Sequence, residues 1–132
     1  MMKKKFRIKN IKKGSSNFSN YQQYGILCVK SLTYGILTDN QLEAVRRCIL
    51  RSIKRKGIIW IRIQCTYPVT KKSVGSRMGK GVGAVKMYIS NVKKGSILLE
   101  LQAPISRELL FLLKKVASKL SVKIAIFIRS YY

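Results

Sequence analysis

A chain of 132 residues has the length of one ordinary domain, and a hydrophobic content of 47% is enough for a core, which excludes a wholly disordered basic chain. Lysine and arginine number 28 against 4 aspartates and glutamates, so the formal net charge is +24. A free globular protein with this excess repels itself, so we expect a polyanionic partner, and RNA or DNA is the commonest one.

Residues 1–23 are polar and basic, with a Gly-Ser-Ser-Asn run at their centre. We interpret them as an irregular N-terminal arm that becomes ordered only on its partner. Residues 24–132 are predicted to form the domain. Its first predicted strand is the apolar run from Ile26 to Val29.

A helix start at Thr38 is the strongest local signal in the chain. Gln41 follows three residues later and completes a capping box, while Leu37 and Leu42 flank the start as a hydrophobic staple. Apolar residues then recur at helical spacing, and Gly57 is predicted to end the helix as its C-cap.

The other side of this helix is cationic. Its predicted RNA contacts are Arg46, Arg47, Arg51, Lys54 and Arg55. A neutral surface helix would carry glutamates to pair such arginines, so a phosphate-binding face is favoured. A plain solvated surface is the alternative.

Three strands are predicted after this helix. Isoleucines alternate with other residues over positions 59–64, which is typical of a half-buried strand. Residues 84–92 form a second strand, and a Lys-Lys-Gly-Ser turn at positions 93–96 is predicted to return residues 97–101 antiparallel to it. Trp60 lies on the first of these strands, where packing in the core and stacking on a base are equally compatible with the pattern.

A second helix and a last strand close the predicted domain. The helix begins after Pro104 and Ser106 and runs to about Lys119 with apolar residues at helical spacing. Residues 122–128 then alternate with a period of two. Two helices among mostly antiparallel strands indicate an α+β domain, with a helical layer covering one side of a sheet.

The segment between Ile63 and Ala84 is about twenty residues long, which is too long for a mere connector and suggests function. Glycine lets the backbone approach an anion closely, and lysine or arginine neutralises it. The segment combines both residue types, as Lys71, Lys72, Arg77 and Lys80 and as Gly75, Gly79, Gly81 and Gly83.

Nucleotide hydrolysis and other catalysis are poorly supported. Only three residues separate Gly75 from Gly79, and Gly81 stands where a P-loop places its magnesium-binding hydroxyl. The sequence has no histidine and no close pair of carboxylates, so neither catalytic residues nor cofactors are expected. The three cysteines show no C-x-x-C spacing, which favours buried reduced thiols over disulfides or a metal site.

The charge distribution points to phosphates. Between Ala44 and Leu99 there are fourteen lysines and arginines and no carboxylate, whereas a solvated face mixes both signs.

A membrane partner is not expected, because the longest apolar run, residues 109–113, is far shorter than the about 20 residues of a span. The basic start also lacks the apolar core of a secretory signal. A free RNA chaperone and a cationic membrane-surface protein are the alternatives to a ribonucleoprotein component.

Two blocks and the ending of the chain carry a family resemblance. The first block is Leu37–Arg47 followed by Lys54–Arg62, and the second runs from Pro68 through the Arg-Met-Gly-Lys-Gly-Val-Gly sequence to Gly83. Lys119, Leu120, Lys123 and Arg129 match the ending. In these residues, from Tyr24 onward, the sequence resembles the bacterial and organellar L-sixteen family of large ribosomal subunit proteins.

The resemblance implies an α/β-hammerhead type of α+β domain on large-subunit ribosomal RNA, between the peptidyl transferase region and the elbow of A-site transfer RNA. It implies contact with A-site transfer RNA, with P-site transfer RNA as a second option, and with neighbouring ribosomal proteins, but no homo-oligomer. The loop tip would be Arg77, Met78, Gly79, Lys80 and Gly81. The complete set of predicted RNA contacts is Arg46, Arg47, Arg51, Lys54, Arg55, Lys71, Lys72, Arg77, Met78, Gly79, Lys80, Gly81 and Lys86.

Several positions depart from the family pattern. Val82 stands where bacterial members usually have a lysine, and Ile58 replaces a common lysine. The second helix is leucine-rich, which suggests an additional protein partner. The bias towards isoleucine, lysine and tyrosine is typical of an AT-rich genome. Together with these departures and the lack of a transit peptide pattern, it leads us to expect a chain encoded in an organelle, a mitochondrion in preference to a plastid, with a bacterial endosymbiont as the alternative.

Overall fold

The computed structural model describes residues 21–54, 56–79 and 81–129, and these form an α+β fold. Apolar residues at a period of two form strands, and apolar residues at helical spacing form helices, as the sequence predicts. The described elements are β1 (Leu27–Ser31), β2 (Gly35–Thr38), α1 (Asp39–Ile53), β3 (Ile58–Ile61), β4 (Tyr67–Lys71), β5 (Ala84–Val92), β6 (Ile97–Gln102), α2 (Arg107–Ala117) and β7 (Ile124–Ile128).

The described strands are divided between two antiparallel sheets, where the sequence pattern suggested one. The first sheet has the order β3-β6-β1-β7, and the second has the order β2-β5-β4. The predicted α+β class is therefore confirmed, but the prediction of one sheet covered by one helical layer is wrong.

The turn at residues 93–96 is where the chain passes from the second sheet to the first. It forms as predicted, with Gly95 at a φ of 84°, but the predicted antiparallel pair between its flanking strands does not form. β5 lies between β2 and β4, while β6 lies between β3 and β1. Neither strand has a free edge, so they cannot pair with each other. The local pattern predicts both strands but not their neighbours.

The start of α1 confirms the predicted capping box. The Thr38 hydroxyl accepts from the Gln41 N–H, and the Gln41 side chain accepts from the Thr38 N–H. The predicted end is wrong, because the helix stops at Ile53 and Lys54 takes the left-handed C-cap position with a φ of 49°. Gly57 serves another purpose: a Cβ there would lie 2.7 Å from the carbonyl oxygen of Gln102, so glycine permits a close approach of two backbones.

One hydrophobic core joins both helices to the sheets. α2 begins at its N-cap Ser106, whose hydroxyl accepts from the Leu109 N–H, and ends two residues before the predicted Lys119. Both helices turn their apolar stripe towards the core. The core side chains include Leu42, Val45, Ile49 and Ile53 of α1, Leu109, Leu113 and Val116 of α2, and Leu27, Val29, Leu99 and Leu101 of β1 and β6.

Most of the predicted N-terminal arm, residues 1–23, lies outside the described residues, because the description begins at Tyr21. Its last residue, Gln23, already donates its backbone N–H to a side chain of the first sheet. The division into an arm and a domain of residues 24–132 stays a prediction.

A buried carboxylate on β6 fastens the segment that leads into β1. Glu100 is 0% exposed and accepts the backbone N–H groups of Gln23, Tyr24 and Gly25 at 3.1, 2.6 and 3.0 Å. The Nε of Arg62 lies 3.4 Å from its Oε1. A buried charge needs such partners, because desolvation without them is costly.

The charge state of Glu100 is decided by opposing effects. Burial raises the pKa of its carboxyl, but the three backbone donors and the Arg62 guanidinium lower it more, so the net pKa lies below the ordinary value. A depressed pKa means that the folded protein favours the carboxylate. This contribution to stability is complete above the unfolded-state pKa of about 4.3 and is lost as the pH falls through the lower folded-state pKa.

We expect Glu100→Gln to lower the free energy of unfolding by about 2–3 kcal/mol at neutral pH, because hydrogen bonds to a charged acceptor are replaced by weaker ones. Urea unfolding measured from about pH 7 to about pH 3 should show the gap between wild type and variant shrinking in acid. Glu108→Gln, at an exposed carboxylate, is the control and should change stability by less than about 0.5 kcal/mol. A gap that stays constant down to the acid limit would contradict this account of Glu100.

Candidate RNA-binding surface

The basic glycine segment is shorter and better anchored than the sequence predicts. β4 forms inside the segment predicted to be loop and pairs with β5 as far as Lys71 opposite Ala84. Pro68 obscures this strand in the sequence, but proline is tolerated at a sheet edge, and β4 is an edge strand. Residues 72–83 remain, and we call them the glycine-lysine loop.

The base of the glycine-lysine loop requires glycine at position 83. A Cβ on Gly83 would lie 2.6 Å from the carbonyl carbon of Lys71 and 2.7 Å from the backbone nitrogen of Lys72. Both atoms belong to the backbone, so a side chain could fit only if the two limbs of the loop moved apart. Gly83 therefore holds the limbs together where they leave the sheet.

A lysine also shapes the interior of the loop. Gly75, Gly79 and Gly81 have φ values of 80°, 104° and 81°. The Nζ of Lys72 donates to the carbonyl oxygen of Gly79 at 2.7 Å and so ties the first limb to the predicted tip. Lys72 was predicted only as an RNA contact, and nothing in the spacing shows this intramolecular bond.

An open concave space of about 660 Å³ lies within the loop. Arg77 is exposed, Met78 is 95% exposed, and Lys80 lies outside the described residues. Cations and glycine backbone around a concavity suit a phosphate group. The lining residues are Lys71, Lys72, Ser73, Ser76, Arg77, Met78, Gly79, Gly81, Val82, Gly83 and Ala84.

The cations of α1 divide into two sets. Arg46 and Arg47 both bind Glu43, with N–O distances of 2.7 and 2.9 Å. Hydrogen bonds from Arg46 and then Arg47 lower the pKa of Glu43 to about 2. This turn of the helix thus has the paired glutamate of an ordinary solvated surface, and the spacings of three and four residues from Glu43 were a signal for it.

Past that turn, the basic surface of α1 continues to the helix end. Arg51 and Lys54 are exposed, while Arg55 lies outside the described residues. Lys86 is exposed on β5, three residues beyond Gly83 at the base of the glycine-lysine loop. The predicted contacts therefore fall into two groups, one around the loop and one on α1.

An aromatic stack on the first sheet was not predicted. The rings of Tyr24 and Trp60 have centroids 5.7 Å apart at an angle of 24°. The guanidinium carbon of Arg62 lies 5.0 Å from the centroid of Tyr24. Trp60 is half-buried and stacks on Tyr24, so it does not occupy a deep core position. Tyr24 is too distant from Trp60 in sequence for local periodicity to reveal the pair.

The environments of the cysteine thiols indicate a role in packing and not in chemistry. All three cysteines are free, with Cys28 buried and Cys48 and Cys65 half-buried. Burial, with a smaller contribution from the charge of Asp39, raises the pKa of Cys65 to about 11. A thiol that stays protonated at neutral pH is a poor nucleophile.

Neither a metal-binding cluster nor a membrane-spanning helix is present in residues 21–54, 56–79 and 81–129. These residues contain no cluster of three or more histidine, cysteine, aspartate or glutamate side chains that could hold a metal ion. They also form no helix that is both long and apolar enough to cross a membrane.

Comparison with known proteins identifies the family. Residues 1–127 match the family described as ribosomal protein L16p/L10e. The chain belongs to this family. Among its relatives, the large ribosomal subunit protein uL16 of Buchnera aphidicola subsp. Cinara cedri is 38% identical over 126 residues, which cover 91% of this chain and 90% of the relative. The uL16 proteins of Psychrobacter arcticus, at 45% identity over 78% of this chain and 75% of the relative, and of Corynebacterium kroppenstedtii, at 38% over 87% and 83%, are similar.

Membership of the L16p/L10e family makes the chain a ribosomal protein and not an enzyme. The match includes α1, the stack and the glycine-lysine loop, so the candidate surface lies wholly within the family region. The three relatives named above are bacterial, and they give no support to the predicted mitochondrial origin.

In this L16p/L10e protein, Gly83→Ala should separate the limbs of the glycine-lysine loop. We expect a loss of about 1–3 kcal/mol in the free energy of unfolding, as for overpacking elsewhere, and faster tryptic cleavage within the loop. Val82→Ala alters the neighbouring, half-exposed side chain and should change stability by less than about 0.5 kcal/mol. If the two variants were cleaved at the same rate, the contact at Gly83 would not be what holds the loop.

Proposed function

We propose that this chain is a structural component of the large ribosomal subunit that binds ribosomal RNA through the glycine-lysine loop and the basic end of α1. By family resemblance, the loop faces the region of the peptidyl transferase centre and helps to position A-site transfer RNA, with P-site transfer RNA as the second option. Neighbouring ribosomal proteins are the other expected partners.

The observation that carries this proposal is the construction of the loop. Its two limbs approach closely at Gly83, and Lys72 donates a hydrogen bond to Gly79 across the loop. Arg77 and Met78 project from it as exposed side chains. These internal contacts restrain a cationic, glycine-rich segment, and a restrained segment loses less conformational entropy when it enters an RNA cleft.

Lysine and arginine contacts to phosphates position a protein without reading sequence. Specificity would then come from the shape of the folded RNA, which the glycine-lysine loop and the α1 surface can match where RNA segments converge. On α1, Arg51 and Lys54 are better candidates than Arg46 and Arg47, because Glu43 already binds the latter pair.

The leucine-rich helix α2 supplies a candidate contact with a neighbouring ribosomal protein. Phe111 is 60% exposed, and Ile105, just before the helix, is 48% exposed. Large apolar side chains of this kind favour a protein neighbour over RNA phosphates. A homo-oligomer is not part of this proposal.

A mitochondrial gene is a further hypothesis, and it rests on the bias towards isoleucine, lysine and tyrosine and on departures from the bacterial pattern such as Val82 and Ile58. The family match is equally compatible with a bacterial ribosome. Locating the gene on an organellar or a bacterial chromosome decides between the two.

Sedimentation tests the proposed function directly. We expect the chain to travel with large ribosomal subunits in a sucrose gradient and to stay with them at moderate salt, because many contacts act together. A free RNA chaperone would instead dissociate steeply with salt, since isolated lysine and arginine contacts lose orders of magnitude of affinity. Recovery of the chain only at the top of the gradient in mild salt would refute a ribosomal role.

Arg77→Ala should weaken binding of A-site transfer RNA about tenfold, as expected for one lost charge-assisted hydrogen bond, while the protein still enters the subunit. Lys94→Ala removes an exposed cation at the β5–β6 turn and is the matched control, with no expected loss. Filter binding of transfer RNA to purified ribosomes and the protein content of the particles are the two measurements. Equal loss of assembly and transfer RNA binding would show that the loop is only an anchor.

A further inference from the structure

We propose that the outer face of the Tyr24 ring is a platform on which an unpaired RNA base stacks. The inference rests on the proposed function in that it takes RNA as the ligand, but it concerns a site separate from the glycine-lysine loop and from α1. The chemistry at this site is stacking, whereas the other two surfaces offer charge.

The stack is built on one face of the first sheet. Trp60 lies opposite Glu100 in the pairing of β3 with β6, so both side chains occupy the same face. Arg62 follows two residues after Trp60 in extended chain and lies on that face too. The Tyr24 ring stacks on Trp60 with centroids 5.7 Å apart, and the guanidinium carbon of Arg62 lies 5.0 Å from the Tyr24 centroid.

The position of Tyr24 is fixed by the backbone and not by its ring alone. Its own N–H and those of Gln23 and Gly25 donate to the buried carboxylate of Glu100. The Nη1 of Arg62 also donates to the Gln23 side chain at 2.7 Å. The ring is thus held in place before any ligand arrives, which removes much of the entropic cost of binding to it.

A large part of the fixed ring is nevertheless open, because Tyr24 is 55% exposed. A tyrosine that served only to cover Trp60 would gain more by burying both faces. An aromatic side chain that is held in place and still more than half exposed is what single-stranded RNA-binding proteins offer to bases.

The local charge favours a base over a phosphate at this point. The Arg62 guanidinium lies beside Glu100 and donates to Gln23, so its charge is already balanced. The platform is therefore planar, nearly neutral and partly apolar, as a nucleobase requires. The remaining cations of a chain with a net charge of +24 can meet the phosphates on either side of that base.

Trp60 is the single tryptophan of the chain, so its fluorescence reports on this stack. We would titrate the full chain with a short single-stranded oligoadenylate and with inorganic polyphosphate, which carries charge but no base. Oligoadenylate should quench Trp60, and polyphosphate should not. Tyr24→Leu should weaken oligoadenylate binding roughly 5- to 100-fold, as for loss of one base–aromatic stack. Tyr24→Phe keeps the ring and should bind as the wild type does.

Tyr34→Leu is the matched control, because Tyr34 is 60% exposed outside the stack and its loss should leave oligoadenylate binding unchanged. A circular dichroism spectrum and an unfolding midpoint equal to those of the wild type show that Tyr24→Leu is folded, and unchanged affinity for polyphosphate shows that its charge contacts are kept. Equal oligoadenylate affinity of Tyr24→Leu and wild type overturns the proposal. So does quenching of Trp60 by polyphosphate, or by anionic phospholipid vesicles in place of oligoadenylate. Failure of the ribosomal role is seen separately, in the sedimentation experiment.

Discussion

The buried carboxylate of Glu100 is the interaction on which the arrangement of the first sheet depends. It sits on β6, between β1 and β3, and binds both the segment entering β1 and Arg62 just beyond β3. In a chain with 28 basic residues and 4 acidic ones, the placement of each carboxylate matters. Glu100 is buried inside the protein, and Glu43 pairs with two arginines on one turn of α1. Neither carboxylate therefore reduces the positive charge of the glycine-lysine loop.

The elements whose signals are local were predictable from the sequence. The capping box at Thr38 and the strand from Ala84 to Val92 needed only residues within a few positions of each other. The errors arose where distant backbone decides the outcome. β5 and β6 do not pair because other strands occupy their edges, and Gly57 does not cap α1 but lies close to the backbone of Gln102, while Lys54 takes the left-handed C-cap position. Periodicity carries no information about either event.

The candidate RNA-binding surface also has some features that the sequence predicts and others that depend on distant contacts. The basic character of the glycine-lysine loop and of α1 follows from composition, whereas the partners of individual cations do not. The hydrogen bond from Lys72 to Gly79 depends on left-handed glycines that fold the loop back on itself. The pairing of Glu43 with Arg46 and Arg47 was readable in advance, because helix geometry places residues three and four apart side by side. The stack of Tyr24 on Trp60 joins two elements distant in sequence and needs the assembled sheet.

Charge alone would make this protein a non-specific RNA binder, because a net charge of +24 attracts any polyanion. Specificity requires surfaces whose shape exists before the RNA arrives. The loop obtains its shape from backbone contacts at Gly83, and the platform obtains its position from backbone hydrogen bonds to Glu100. In both places the exposed side chain, Arg77 or Tyr24, belongs to a backbone segment that is restrained by contacts with other residues. Because the supports are internal, an RNA that fits both surfaces at once gains affinity from each, while an RNA that fits only one gains the affinity of that surface alone.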